Sequence, residues 1–423
     1  MNPSPLHLID AGLLANLPAA DVPTRWQPML AATADLARRC LMQPEPPLKR
    51  PWINIGPGYC YGPAFGHFDL IHMVFDLVGD ERGIATDQME NLLDLQRPDG
   101  SIPFLWMGDN PARKWLTPGL SVEQRLAAGM SWPPLWPAGI EACWHAGAGD
   151  ALLARAAAAL DRTLGWWDAN RRLVDGGYFY ADILAKGQWE SGMDQCVRLA
   201  DPPPRPMACI DACSHVLWCR RFAAAWARRL GRDDALHRQA AADLAGLISS
   251  QLFSEETGWF HDAWSVNDPA HRPLAWEGIW ALVAGAATPA QAQAAIDRNL
   301  LEPKRFFTLH PIATVAHEDP RFTLRMMHGP AWNSFTLWAV EGCLAVSRPD
   351  AARAILGAAL DATSTVHART GTLWEFYHPL GGDPTELMRK PGQKKSVPCH
   401  DYYGHNPLRA MARIWSTLGG GRS

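Results

Sequence analysis

The chain has 423 residues, of which 48% are hydrophobic and 19% charged, with a formal net charge of −4 at pH 7. That apolar content excludes a disordered chain, and the lack of a basic surplus argues against nucleic acid or an anionic membrane as the main partner. No stretch approaches the ~20 uninterrupted apolar residues of a membrane helix.

Helical periodicity dominates the chain from its first third onward. Helices are predicted over Val22–Met42, Phe65–Gly79, Glu81–Leu95, Trp136–Ala146 and Asp150–Asn170, the last very rich in alanine. Ile210–Leu230 and Arg232–Leu252 follow as a long pair, then Ala275–Ala284 and Thr288–Leu300 as a shorter one. Thr288-Pro289 reads as an N-cap followed by proline at the first helical position. Ala331–Val346, Pro349–Val366 and Gly404–Leu418 complete a set of twelve. Mostly paired helices without a repeat of fixed period predict an all-α toroid of helical hairpins, with an irregular bundle as the other all-α layout.

Three long segments interrupt the helices: 171–209, 301–330 and 367–403. They carry Trp, Tyr, His, Asp and Gly, so they read as the walls of a site rather than as disorder. No internal linker stands out, and the proline run Asp201–Pro206 is too short to divide domains. A single catalytic domain over 1–423 is expected, with an N-terminal extension over 1–21 and a tail over 418–423. The N-terminus lacks a basic stretch followed by a long apolar one, which leads to the expectation of a cytoplasmic protein. The nine cysteines form no CxxC pair, and Cys196, Cys209, Cys213 and Cys219 fit no common zinc spacing. They read as buried small hydrophobes, and no metal or cofactor is expected.

The 20 Trp outnumber the 7 Tyr and the 13 Phe. Indoles stack on the C–H faces of sugars and also fill cores, and composition leaves both uses open. The chemistry concentrates in two strings. Trp189-Glu-Ser-Gly-Met-Asp194 packs an indole, two carboxylates and a flexible glycine into six residues. Trp374-Glu-Phe-Tyr-His-Pro379 sets Glu375 among bulky aromatics. A carboxyl beside aromatic surface can be desolvated into a general acid, and two such groups far apart in sequence are what glycoside hydrolysis needs. Each also has a plainer reading, a capping carboxylate for Asp194 and a surface carboxylate for Glu375.

Further strings make a resemblance specific. Gln96-Arg-Pro-Asp-Gly-Ser-Ile-Pro103, Glu190-Ser-Gly-Met-Asp194, Glu256-Thr-Gly-Trp-Phe-His-Asp262, His328-Gly-Pro-Ala-Trp332 and Trp374–Pro379 occur in an order that resembles the (α/α)6-barrel glycosidases of glycoside hydrolase family 63 and the trehalase clan. Length and motifs resemble those of the short bacterial mannosylglycerate and glucosylglycerate hydrolases, over about residues 52–416. The resemblance implies an (α/α)6 barrel and an inverting α-glycosidase for a small glucoside or mannoside. Asp194 would be the general acid and Glu375 the general base. Asp69 would bond hydroxyls of the sugar whose bond is cut, beside Phe68. Trp189 would stack on that sugar and Gly192 would let backbone approach it. Arg198 would bind a hydroxyl, tune a carboxylate or form a structural ion pair. Tyr61, Trp132, Trp332, Tyr377 and His405 are the remaining candidates for the pocket, Tyr61 and Tyr377 being equally readable as core.

The sequence departs from the family pattern where the sugar should lie. Trp132 replaces a polar residue, Phe68 a Trp, His328 an Arg, and His400-Asp-Tyr-Tyr-Gly-His405 stands for a different string. These changes suggest a sugar or aglycone other than mannosylglycerate. Two other readings on the same barrel compete: a sugar epimerase working through His328, His378, His400 or His405, and a sugar-binding homologue without turnover. The resemblance also admits a homo-oligomer, whose interface the sequence does not identify.

Overall fold

In the computed structural model the described residues are 21–102, 105–106, 132–183, 190–389 and 397–419. Trp189, Ser131, residues 1–20 of the expected extension and 420–423 of the tail lie outside them. The chain winds through α1 (Gln27–Arg39), α2 (His67–Leu77), α3 (Arg82–Asp94), α4 (Trp136–Cys143), α5 (Asp150–Asn170), α6 (Ile210–Arg229), α7 (Ala235–Gln251), α8 (Trp280–Val283), α9 (Pro289–Ala295), α10 (Asn333–Ala345), α11 (Pro349–Thr370) and α12 (Leu408–Gly419). Odd-numbered helices bury one stripe. In α11 this is Ala351, Ala352, Ile355, Leu356, Ala359, Leu360 and Thr363, the spacing of a helix with one wet face. Even-numbered helices are buried nearly all round: every residue of α4 and α8, and Leu408–Ile414 of α12. A helix without a wet face belongs inside.

The inner helices form a ring. α2 packs on α4, α6 on α8, α8 on α10, and α12 returns to α2. Trp226 of α6 donates its indole N–H to buried Glu141 of α4 at 2.7 Å. The start of α10 bonds the segment just before α12, through Ser334 to His405 and Asn333 to Asn406. The outer helices pack beside them, α6 with α7 and α10 with α11. The result is the (α/α)6 barrel.

Tryptophan fills its axis. Trp338 of α10 meets Trp218 of α6, Trp280 of α8 and Phe75 of α2, with ring centroids 5.6, 5.2 and 5.5 Å apart. Eleven tryptophans are fully buried, so most of the aromatic excess is core. Each edge-to-face pair adds about 0.5–1.5 kcal/mol beyond burial.

Several predicted boundaries move for visible reasons. Leu41–Met42 and Phe65–Gly66 leave their helices to pair as two-residue strands with Trp52–Ile53 and Leu105–Trp106. Ala275–Ala284 divides into a 3-10 turn, Trp276–Ile279, and the single turn of α8. The predicted cap holds: Thr288 and Gln291 form a reciprocal capping box at the start of α9. The last helix begins at Leu408, not Gly404, because 403–406 closes a turn, with the Asn406 N–H on the Tyr403 carbonyl at 2.8 Å, against α2. Its cap comes from another helix: Asp76 Oδ1 accepts from the N–H groups of Arg409 and Ala410, at 2.7 and 3.0 Å. The same buried carboxylate takes Arg409 Nε at 2.7 Å and the Tyr403 hydroxyl at 2.9 Å.

Asp76→Ala should therefore remove the shortest ion pair of the Arg409 guanidinium, leaving it Glu81 and Asp80 at 3.2 and 3.4 Å, and should strand two helix N–H groups. The expected loss is about 3–5 kcal/mol of folding stability, read from urea midpoints at unchanged slope. A loss under about 1 kcal/mol, within the range of a surface pair, would contradict this closure.

Candidate active site

The loops that lead into the inner helices gather at one end of the barrel. Asp69 stands in the first turn of α2. Asp194 lies between α5 and α6, Trp332 is the N-cap of α10, and Glu375 and His405 lie between α11 and α12. Helix order thus brings together residues more than 300 positions apart.

Glu375 is 2% exposed. Arg389 Nε donates to both its oxygens, at 3.1 Å to Oε1 and 2.8 Å to Oε2. Oε2 also accepts from the Cys399 N–H at 3.1 Å. Arg389 lies over the Tyr61 ring, 5.2 Å from its centroid, and bonds the Tyr61 hydroxyl at 3.3 Å. The backbone beneath is held by Asn406, which is fully buried. Its amide nitrogen donates to the carbonyls of Trp374 and Tyr402, and its oxygen accepts from Tyr377 and Asn333.

Asp69 accepts from the Tyr402 hydroxyl at 2.9 Å and lies 3.3 Å from His405 Nε2. Burial raises its pKa from 3.8 to about 7, and the charges of Glu375 and Asp194 add to the rise against the Tyr402 bond. Three carboxyl groups therefore share one end of the barrel. His405 meets Asp69 as neutral imidazole, because burial, His72 and Arg389 hold its pKa well below the usual value. Its other nitrogen bonds the Ser334 hydroxyl at 2.6 Å. Gly404 is required beside them: a Cβ there would fall 2.5 Å from Asp69 Oδ1.

The Glu-Ser-Gly-Met-Asp turn divides its two carboxylates between two jobs. Glu190 is fully buried and clamped by both Nε and Nη2 of Arg171, at 2.8 Å each. Ser191 bonds Asp182 through its N–H and its hydroxyl. Asp194 emerges from this clamp half-buried. The next residue, Gln195, has φ +57°. His328 bonds its carbonyl at 2.8 Å and Arg325 its side chain. Gly192 at φ +73° lies against Phe68 and Pro133.

Phe68 contacts Trp132 and His405, and Trp332 stands 4.5 Å behind His405. Phe68, Asp69, Gly192, Trp132, Trp332, His405, Tyr61, Glu375 and Asp194 are thus neighbours in one region. Tyr377 sits beneath it, with its hydroxyl on Asn406 and its ring against His310. Arg198 is also out of the pocket. Its three guanidinium nitrogens bond Glu277, Asp262 and Asp211 in the protein interior, which is the ion-pair arrangement among the open readings. There burial, with the charges of Asp262 and Glu277, outweighs Arg198 and raises Asp211 well above the carboxylate range. Cys209, Asp211 and Asp262 are the one metal-type grouping among the described residues, and Arg198 already supplies the positive charge to both aspartates. Arg389, Asn406 and Asp182 carry no local pattern in the sequence, whereas Tyr402 falls within the His400–His405 string placed above where the sugar should lie.

Residues 68–405 match the family model of the mannosylglycerate hydrolase MGH1-like glycoside hydrolase domain. No curated protein matches the chain. Among solved structures it is similar to the family 63 mannosylglycerate hydrolase of Thermus thermophilus in complex with Tris and D-glycerate. Identity is 15% and the TM-score 0.66, over 92% of this chain and 99% of that one. The neutral trehalase of Saccharomyces cerevisiae is 16% identical, with TM-score 0.66 over 90% of this chain and 77% of that one. A rhamnosidase from Klebsiella oxytoca with rhamnose bound is 15% identical, with TM-score 0.59 over 95% and 66%. At such identities the likeness carries the fold, the (α/α)6 barrel. No helix among the described residues is long and apolar enough to cross a membrane.

Asp69 yields a pH test. Its folded pKa of about 7 exceeds the ordinary 3.8. Across that window the folded chain keeps a proton that the unfolded chain releases, so this carboxyl's contribution to stability falls as pH rises. Asp69→Asn has no such proton, and its Tm relative to wild type should climb between about pH 5 and about pH 7.5. A Tm difference that stays constant across those scans would contradict the assignment.

Proposed function

The chain belongs to the mannosylglycerate hydrolase MGH1-like glycoside hydrolases, and on that premise we propose that it cleaves a small α-linked glucoside or mannoside with inversion at the anomeric carbon. Asp194 is the general acid. It gives its proton to the glycosidic oxygen as that bond to the anomeric carbon breaks. Glu375 is the general base. It takes a proton from the water that attacks the opposite face of the sugar. Inverting pairs stand roughly 6.5–9.5 Å apart to admit that water. The observation that carries the reading is geometric: the turn that bears Asp194 lies against Phe68 through Gly192, and the segment that bears Glu375 reaches Asp69 through Tyr402 and His405. Two independent loops therefore bring a carboxyl toward the start of α2.

The surroundings support the division of labour. Arg389 and Cys399 engage Oε2 of Glu375, while Oε1 has the single longer bond to Arg389; Oε1 is the oxygen for the water. Asp194 leaves a clamped turn and is only half-buried, which suits a group that must meet an aglycone. Asp69, once ionised, accepts sugar hydroxyls, with Phe68, Trp132 and Gly192 shaping the wall around it. A small polar aglycone is favoured by the Thermus relative, which holds Tris and D-glycerate, and by the trehalase. Glucosylglycerate, mannosylglycerate and the α-glucobioses are the substrates to try first. The departures at Phe68, Trp132, His328 and His405 are where selection among them is made.

Hydrolysis also suits the histidines better than epimerisation does. His72 has both nitrogens bonded within the protein, to the Gly404 carbonyl and the Trp338 indole. His405 is committed to Ser334 and Asp69, and His328 to the Gln195 carbonyl. Groups so occupied hold structure and are poorly placed to move protons.

Two variants test the roles. Asp194→Asn should lower kcat on a natural glycoside by about 10²–10⁴-fold. On an activated aryl glycoside, whose leaving group needs little protonation, the loss should be far smaller. Glu375→Gln should lower kcat by a similar factor on both substrates, with KM changed only a few-fold. Equal losses on both substrates for Asp194→Asn, or a near-normal kcat for Glu375→Gln, would overturn the assignment.

A further inference from the structure

The opposite end of the barrel carries an arginine-lined cavity that glycoside cleavage does not use. Its volume is about 990 Å³. It opens where α6, α8 and α10 end and α7, α9 and α11 begin, whereas the carboxylates lie on loops that precede the inner helices. α6 spans the distance. Asp211, at its start, takes the Arg198 guanidinium, and Arg228, near its end, lines the cavity. At 1.5 Å per residue those ends are about 25 Å apart.

The cavity is short of negative charge. Arg228 and Arg238 share one carboxylate, Asp234, at 3.2 and 3.3 Å. Arg348 is satisfied by Asp297 and Asp350. Arg221 has no carboxylate among the described residues. It donates from Nη2 to the Gly285 carbonyl at 3.0 Å. Burial lowers its pKa, the direction expected of a guanidinium removed from water without an anion. Three arginines thus face one aspartate, in a chain whose net charge is −4.

The arrangement is ordered. Arg221, Ala224 and Arg228 are spaced i, i+3, i+7 on one face of α6, and Arg238 looks in from α7. The floor is small and apolar, made of Ala241, Val283 and Ala292 together with Ala224. Guanidinium forks over a small apolar floor match an oxyanion with a compact organic body, because each fork can hold two oxygens. The ion-pair alternative needs a carboxylate for Arg221, which the surrounding helices do not provide.

We propose that this cavity is a second ligand site, separate from the catalytic end, that takes a small phosphate- or carboxylate-bearing metabolite on Arg221, Arg228 and Arg238.

The test is calorimetric titration of the full chain at constant ionic strength, once with inorganic phosphate and once with citrate. Saturable binding of either supports the site, and the stronger arm identifies the oxyanion. Arg221→Gln should weaken that binding at least about tenfold, since it removes a charge-assisted fork. Arg238→Gln, on the exposed face of α7 where folding is safe, should weaken it about three- to tenfold. Both variants should cleave glycoside at the wild-type rate. Heats that never saturate up to about 50 mM of either anion, five times a weak ~10 mM Kd, would overturn the proposal. So would saturable binding that neither substitution changes.

Discussion

A polar seam on one face of α2 carries both the closure of the barrel and the seat of its carboxylates. Asp69, His72 and Asp76 follow each other at i, i+3 and i+7, so they form one stripe on an otherwise apolar helix. All three meet the segment 402–410. Asp69 takes the Tyr402 hydroxyl, His72 donates to the Gly404 carbonyl, and Asp76 caps α12 while holding Arg409 and Tyr403. His72 also accepts the indole N–H of Trp338, which ties the seam to the aromatic plug of the axis. Joining the last inner helix to the first therefore sets the position of Asp69 in the same act.

The other two carboxylates hang on comparably rigid supports. Asp194 follows a turn pinned by Arg171 and Asp182, and the Arg198 cluster fixes the chain just beyond it. Glu375 is held by Arg389 and the Cys399 N–H, over backbone gathered by Asn406. Buried ion clusters of this kind are weak sources of stability, because desolvation offsets much of the Coulomb gain. Their value here is positional: loops from distant parts of the chain keep one geometry, as a site with separate acid and base requires.

Much of this architecture is legible in the sequence, and the limits have physical causes. Asp150–Asn170 keeps its predicted bounds, because its periodic stripe runs unbroken between turn residues. The pattern over Gly404–Leu418 starts the last helix four residues too early. Its first four positions, Gly404-His-Asn-Pro407, are poor helix formers, and they make a turn bonded to α2 instead. The tryptophan excess cannot be assigned from composition, since core packing and sugar stacking call for the same side chain. Asp194, Glu375 and Asp69 can be singled out because unusual neighbours or a matching string surround them. Arg389, Asn406 and Asp182 cannot: Asn406 is set by contacts across the fold, and Arg389 and Asp182 meet their carboxylate and turn partners across irregular loops that have no periodic spacing. Asp76 and His72 do leave a signal, polar residues at helical spacing in an apolar helix, which only partners more than 300 residues away explain.

The central claim is that two carboxyl groups on opposite sides of one sugar cleave an α-glycoside by single displacement. Proton NMR of the first minutes of turnover reads this directly, with glucosylglycerate, mannosylglycerate, trehalose, kojibiose and nigerose as substrates. With inversion, the β-anomer of the released sugar appears first and only later mutarotates toward equilibrium. Initial release of the α-anomer would mean a retaining reaction and would contradict the acid–base pairing of Asp194 with Glu375.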